Sequence, residues 1–106
     1  MIEYNEFSRV ELKTAKVVDA EKIPESDKLL KLTVNVGEEE RTIVAGIAKS
    51  YLAEEVIGRT VIIVSNLKPR KLMGVESNGM VLAVHDGETL RLIGPEGDMD
   101  SGLKVS

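Results

Sequence analysis

The residues with the clearest potential for chemistry lie close together in the stretch NLKPRKLMGVESNGM, residues 66–80. Three of them are cations, Lys68, Arg70 and Lys71, and no acidic residue lies between positions 67 and 75. Lysine and arginine side chains neutralise nucleic-acid phosphates without reading the base sequence. This stretch, called the basic loop below, is therefore a candidate nucleic-acid contact. The alternative interpretation is a solvated loop with an ordinary run of charges.

Short polar residues and glycines complete the basic loop. Ser77 and Asn78 provide hydroxyl and amide groups that can bind a ribose hydroxyl or a base edge. Gly74 and Gly79 permit positive φ angles or the close approach of another backbone. The stretch joins two apolar segments, and its length predicts a loop too long for a tight hairpin.

Two further cations, Lys31 and Arg41, could enlarge the same positive surface. Lys31 lies in PESDKLLKL, residues 24–32, where a binding role and plain exposure to solvent are both compatible with the pattern. Arg41 directly follows three glutamates, so a local ion pair is the alternative to a binding role.

The chain has few residues that could support catalysis, metal binding or cofactor binding. Cysteine is absent, which excludes disulfides and thiolate sites, and His85 is the single histidine. Asp98 and Asp100 supply only part of a calcium loop. No glycine-rich phosphate-binding motif is present. We therefore expect no catalytic residues, no metal and no cofactor.

The aromatic residues are Tyr4, Phe7 and Tyr51. Proteins that bind single strands without sequence preference stack bases on exposed rings, and three rings cannot form such a platform. We expect Phe7 and Tyr51 to lie in the core. This shortage favours recognition of a folded RNA through its shape and backbone.

The elements that must position the basic loop are mostly strands. Apolar residues that alternate or run together predict strands over residues 9–23, 30–36, 42–45, 61–64, 80–84 and 89–93, with a short helix over 48–57. Gly58 is expected to end that helix, and Leu103 and Val105 could dock back onto the domain. This order favours an all-β, five-stranded Greek-key barrel with a helix between its third and fourth strands. Another small β-barrel or a sandwich is the alternative.

Length and charge limit the remaining possibilities. The 106 residues predict one domain, residues 1–106. The net charge of −4 counts against a generic nucleic-acid binder, but screening confines each local field to about 8–10 Å. No signal peptide is visible, and the longest apolar run, Met80 to Val84, is too short to span a membrane. The expected location is the cytoplasm.

Four stretches together resemble the tRNA-binding domain of methionyl-tRNA synthetases, which occurs at their C-terminus or as a free-standing subunit. These stretches are FSRVELKTAKVV (7–18), PESDKLLKL (24–32), RTIVAGIAKSY (41–51) and NLKPRKLMGVESNGMVLA (66–83). The last of them is the most specific to the family.

The resemblance implies an oligonucleotide/oligosaccharide-binding (OB) fold with extra terminal segments. It also implies homodimerisation through the N- and C-terminal segments and sequence-nonspecific binding of tRNA, without catalysis, in support of the methionyl-tRNA synthetase catalytic chain. The positions that the resemblance links to tRNA are Lys68, Arg70, Lys71, Ser77, Asn78 and Met80, to which we add Lys31 and Arg41.

Three other functions remain open at this point. A chaperone subgroup of the same fold binds peptides in protein export, although its members diverge in the basic loop. The same module also occurs in phenylalanyl-tRNA synthetase and in eukaryotic synthetase cofactors. A dimerisation module without a ligand of its own is the third possibility.

Overall fold

The computed structural model describes residues 1–106, which form ten strands and two helical turns. The elements are α1 (Tyr4–Phe7), β1 (Leu12–Lys22), β2 (Leu30–Val36), β3 (Glu39–Ala45), α2 (Ala53–Val56), β4 (Thr60–Val64), β5 (Arg70–Leu72), β6 (Val75–Ser77), β7 (Met80–Val81), β8 (Ala83–His85), β9 (Leu90–Leu92) and β10 (Lys104–Val105).

The long strand β1 gives the main sheet its shape. Its residues 16–22 pair with β2, and its residues 12–16 pair with β4, both antiparallel. The register on the β2 side shifts between Val17 and Asp19, which marks a β-bulge. Because a bulge bends and twists its strand, β1 can pair with both β2 and β4, which face each other across the core.

The sheet order is β3-β2-β1-β4-β7, and β10 adds to the start of β1. The open side of this curled sheet lies between β3 and β7, where the loop residue Asn78 donates its N–H to Thr42 O of β3 at 2.8 Å. With α2 between β3 and β4, this is the predicted Greek-key barrel of the OB type, and the predicted fold class is confirmed.

The core follows the predicted apolar pattern. In β2, the side chains of Leu30, Leu32, Val34 and Val36 are buried at every second position. In β4, the whole run 61–64 is buried, as expected for a strand that lies between β1 and β7. Fully burying one such side chain contributes about 1.5–3 kcal/mol, so the two strands supply much of the driving force for folding.

The predicted helix over residues 48–57 is mostly wrong, because only Ala53–Val56 is helical. Leu52 is extended (φ −76°, ψ 152°), and it separates this turn from a preceding one in which Tyr51 N–H donates to Ile47 O at 3.0 Å. The break lets Tyr51 enter the core, where its Oη accepts a hydrogen bond from Leu92 N–H at 3.0 Å. Gly58 ends the helix at φ +93°, as predicted.

Other boundaries differ from prediction for local reasons. The third strand starts earlier because Val36 and Glu39 form a pair around a two-residue turn that begins with Gly37 at φ +65°. The predicted fifth strand is interrupted at Leu82, whose N–H still donates to Ile62 O of β4 at 2.9 Å, and the chain then continues as a hairpin of β8 and β9. The predicted docking of the C-terminus occurs through β10.

The prediction that Phe7 lies in the core is wrong. Phe7 is 43% exposed, and the helical turn α1, which holds it, buries none of its residues. The prediction for Tyr51 is confirmed, since its side chain is 7% exposed.

Candidate nucleic-acid interface

The basic loop contains a hairpin, contrary to the prediction of a loop too long for a tight one. Strands β5 and β6 pair with Leu72 opposite Val75, which leaves Met73 and Gly74 as the two turn residues. Both have positive φ, 51° and 79°, the combination required by a type I′ turn. The sequence signal was incomplete, because the first turn position holds methionine in place of the usual asparagine or aspartate.

Ser77 holds the end of this hairpin against β3. Its hydroxyl accepts a hydrogen bond from Val44 N–H at 2.9 Å and donates one to Gly79 O at 3.2 Å. The side chain is 3% exposed. The Ser77 hydroxyl is thus inaccessible to an external RNA in this structure, and its contacts position the hairpin.

The three cations of the basic loop are exposed and free of ion pairs. The four ion pairs of the structure involve other basic residues. Residues 70 and 71 are neighbours on β5, so Arg70 and Lys71 point to opposite faces of the hairpin. Lys71 stands opposite Glu76 in the ladder, whereas Lys68 precedes the strand. The hairpin therefore has a cation on each of its faces, and the face with Lys71 also carries Glu76.

An open groove of about 470 Å³ runs beside the hairpin and brings together three predicted site residues, Lys31, Arg41 and Asn78. Lys31 is only partly engaged, through an ion pair with Glu21 whose Nζ and Oε1 atoms are 3.5 Å apart. Glu76 also lines the groove. The groove is therefore mixed in charge, and its polar groups suit hydrogen bonding better than strong anion binding.

Arg41 is largely engaged within the protein. Its Nε is paired with the Glu39 carboxylate, as the alternative interpretation from the sequence expected, and its Nη1–H donates to Ser65 O at 2.6 Å. The side chain is 14% exposed. Arg41 thus connects β3 to the end of β4, directly before the basic loop.

Met80 lies apart from the groove. It lines an apolar pocket of about 320 Å³ in the gap between β3 and β7, together with Val44, Ile47 and Leu90. The side chain is 48% exposed. The side chains of the pocket are apolar, and it is separate from the cations of the hairpin.

Aromatic rings are absent from the hairpin and from the groove. Tyr51 is buried, and the guanidinium carbon of Arg59 lies 5.2 Å from its ring centre. Tyr4 and Phe7 are exposed on α1. A stacking platform for bases is therefore missing beside the unpaired cations.

Sequence reasoning missed one polar residue of this region, Asn66. It begins the basic loop, and its side-chain amide binds the main chain of residues 9 and 11. An asparagine beside a strand has no distinctive spacing, so the sequence offers no signal for this long-range contact.

Two further observations concern other kinds of site. No group of three or more His, Cys, Asp or Glu side chains is placed to hold a metal ion. None of the helices has the length and apolar composition needed to cross a bilayer.

Comparison with known proteins gives consistent matches along the chain. Residues 12–104 match the family described as "Putative tRNA binding domain". The methionine–tRNA ligase of Thermotoga maritima is 52% identical over 99% of this chain, and that of Pyrococcus furiosus is 45% identical over 98%. The chain spans 17% and 14% of the lengths of these two relatives.

Solved structures with the same fold include a protein related to methionyl-tRNA synthetase and a chaperone. A MetRS-related protein from Pyrococcus horikoshii aligns with a TM-score of 0.93 and 40% identity, over 100% of this chain and 98% of that one. The chaperone CsaA from Bacillus anthracis aligns with a TM-score of 0.90 and 28% identity, over 100% of this chain and 99% of that one.

Proposed function

The chain belongs to the tRNA-binding domain family, and from this premise we propose that its basic loop binds tRNA without regard to sequence. The observation that supports the proposal is the hairpin that carries Lys68, Arg70 and Lys71, three exposed cations that no acidic side chain neutralises through an ion pair. The same cations lie between attachments at both ends of the loop, so they keep a defined position relative to the barrel.

The remaining predicted site residues take different parts in this proposal. Lys31 and Asn78 extend the contact along the groove beside the hairpin. Arg41 of β3 binds Ser65 directly before the basic loop, and Ser77 of β6 binds Val44 of β3, so both residues support the loop through contacts within the protein. Met80 would add an apolar contact from its own pocket, apart from the groove and the cations.

The binding mode is contact with the tRNA backbone and its folded shape. Cations on both faces of a narrow hairpin can reach phosphates on the two sides of a groove, whereas base stacking needs rings that this surface lacks. The binding free energy is then mainly electrostatic, and it depends strongly on salt concentration.

Homodimerisation is the second element of the proposal. Residues Ile2, Tyr4, Phe7 and Val10 expose apolar side chains at the N-terminus, and Leu103 exposes another near the C-terminus. A second copy that covers these segments would bury aromatic surface, which is a typical anchor of interfaces. Sedimentation analysis of the wild type and of Phe7→Glu tests this, with a dimer expected for the first and a monomer for the second.

The domain acts as a non-catalytic accessory in the cytoplasm. The match to methionine–tRNA ligases over a small part of their length supports association with a methionyl-tRNA synthetase catalytic chain, either as a domain or as a subunit. By holding tRNA, the domain would raise the effective concentration of tRNA at that catalytic chain.

A peptide-binding chaperone function is the second candidate. It is favoured by the likeness to the chaperone CsaA and by the apolar pocket next to Met80. Mobility-shift titration with total tRNA, run in parallel with capture of an unfolded polypeptide, separates the two functions. Retardation of tRNA without capture of polypeptide is the expected result. Capture of polypeptide that tRNA does not displace would favour the chaperone function.

A further inference from the structure

The first residue of the basic loop, Asn66, is attached to the N-terminal segment by both halves of its side-chain amide. Its Oδ1 accepts a hydrogen bond from Glu11 N–H at 2.8 Å, and its Nδ2 donates one to Arg9 O at 2.7 Å. Both partners are main-chain groups more than fifty residues away in the sequence. An amide is the side-chain group that satisfies a main-chain donor and a main-chain acceptor at once.

The preceding residue, Ser65, strengthens the same attachment. Its N–H donates to Glu11 O at 2.8 Å, and its hydroxyl lies 2.6 Å from Glu11 Oε1. The hydroxyl of Ser65, followed by the nearby cation of Lys13, lowers the pKa of Glu11 below its ordinary value. The end of β4 is thus held to the N-terminal segment at two successive residues, Ser65 and Asn66.

The opposite end of the basic loop is held to a different element. Ser77 and Asn78 bind Val44 and Thr42 of β3 through the hydrogen bonds described above. The cations lie between these two attachments, and the structure gives them no ion pair that would orient them. Their positions depend on where the loop starts and ends.

We propose that Asn66 is a positioning residue for RNA binding, which fixes the start of the basic loop to the N-terminal segment so that Lys68 and Arg70 meet phosphates together. The inference rests on the proposed tRNA binding. Arg70 lies four positions after Asn66, which allows about 13 Å of extended chain. Without the Asn66 contacts, the last attached residue before the cations is Ser65, which stays bound to Glu11 and Arg41. The free part of the loop would then be longer, the two cations would spread over more positions, and fewer of them would be in contact with the RNA at one time.

Two measurements on Asn66→Ala test the proposal, with Asn35→Ala on β2 as the matched control. In the free protein, amide hydrogen exchange over residues 68–76 should become faster in Asn66→Ala and stay unchanged in Asn35→Ala. In a salt titration of tRNA binding, the slope of log affinity against log salt should fall by about one unit, although no charge has been removed. The ratio of wild-type to variant affinity should then be roughly three- to fourfold larger at about 50 mM than at about 200 mM salt.

A purely structural role of Asn66 would lower thermal stability and leave the salt slope of the folded protein at the wild-type value. That result, or unchanged exchange over residues 68–76, would overturn the proposal while tRNA binding by the wild type stands. If the wild type itself does not bind tRNA, the proposed function fails and this role fails with it. If Asn66→Ala does not fold, Asn66→Asp retains the contact with Glu11 N–H and loses the one with Arg9 O. Its exchange over residues 68–76 should then exceed that of the wild type, and unchanged exchange would refute the role.

Discussion

Replacing Arg70 and Lys71 by alanine together removes two of the three unpaired cations of the basic loop. Each phosphate that a protein neutralises on a duplex contributes about 0.9 to the slope of log affinity against log salt. If both side chains bind phosphates, the double variant should have a slope about 1.8 units shallower. Between about 200 mM and about 50 mM salt, the ratio of wild-type to variant affinity should then grow roughly twelvefold. Both residues are exposed at the hairpin, so the fold should tolerate the change.

The assay is a salt titration of binding to several unrelated tRNAs, with Arg91→Ala/Lys104→Ala as the control. The control loses one arginine and one lysine from β9 and β10, so both double variants have the same net charge. A general electrostatic effect would give equal slopes for the two variants. Phosphate binding by Arg70 and Lys71 is refuted if the hairpin variant keeps the wild-type slope, or if the slope of the control falls as much as that of the hairpin variant.

Three further changes test the turns of the fold. Met73→Asn should stabilise the protein by up to about 1 kcal/mol in thermal unfolding without altering the salt slope, because asparagine tolerates the positive φ of this turn better than methionine does. Gly102→Ala should cost roughly 2 kcal/mol or more in denaturant titration, since φ is +81° and a Cβ would lie 2.5 Å from Gly37 N, whereas Gly97→Ala, with open space around it, should change little. The pKa of Asp86 is lowered by two backbone N–H groups, so its charge stabilises the fold above its unfolded value of about 3.9 and this stability is lost as the pH falls below it. Asp86→Asn should lose less stability than the wild type between about pH 5 and pH 3, and an equal loss in both would contradict this account.

Much of the fold was accessible from the sequence because its strands have one apolar face. The alternation in residues 30–36 and the apolar run 61–64 predict the core strands, since a one-residue shift of register would expose every buried side chain. The helix before Gly58 was predicted too long, because intrinsic propensity does not include the burial of Tyr51. Tertiary packing decided that segment.

The sequence predicted which segment holds the site residues, but it did not predict the contacts that these residues make. The sequence indicates that Lys68, Arg70 and Lys71 lie together in one segment, and the structure places all three on or before the hairpin. Sequence spacing does not show that the hydroxyl of Ser77 or the guanidinium of Arg41 is engaged within the protein, because their partners lie far away in the chain. Sequence spacing does not show the contact between Asn66 and the N-terminal segment for the same reason.

The acidic net charge is compatible with RNA binding for a local reason. The basic loop has no acid between positions 67 and 75, whereas acids are concentrated elsewhere, as in residues 38–40. At physiological salt the electrostatic field of each charge extends over about 8 Å, so a phosphate at the hairpin interacts mainly with the charges nearest to it. The total charge mainly limits association at long range.

Amide spectra of the isotope-labelled domain during titration with tRNA test most directly whether the basic loop is the RNA-binding surface. We expect signals from residues 66–80 to shift or broaden first, while those of the β8–β9 hairpin, residues 83–92, change least. Changes confined to residues 83–92, with residues 66–80 unaffected, would contradict the assignment of the tRNA contact to the basic loop.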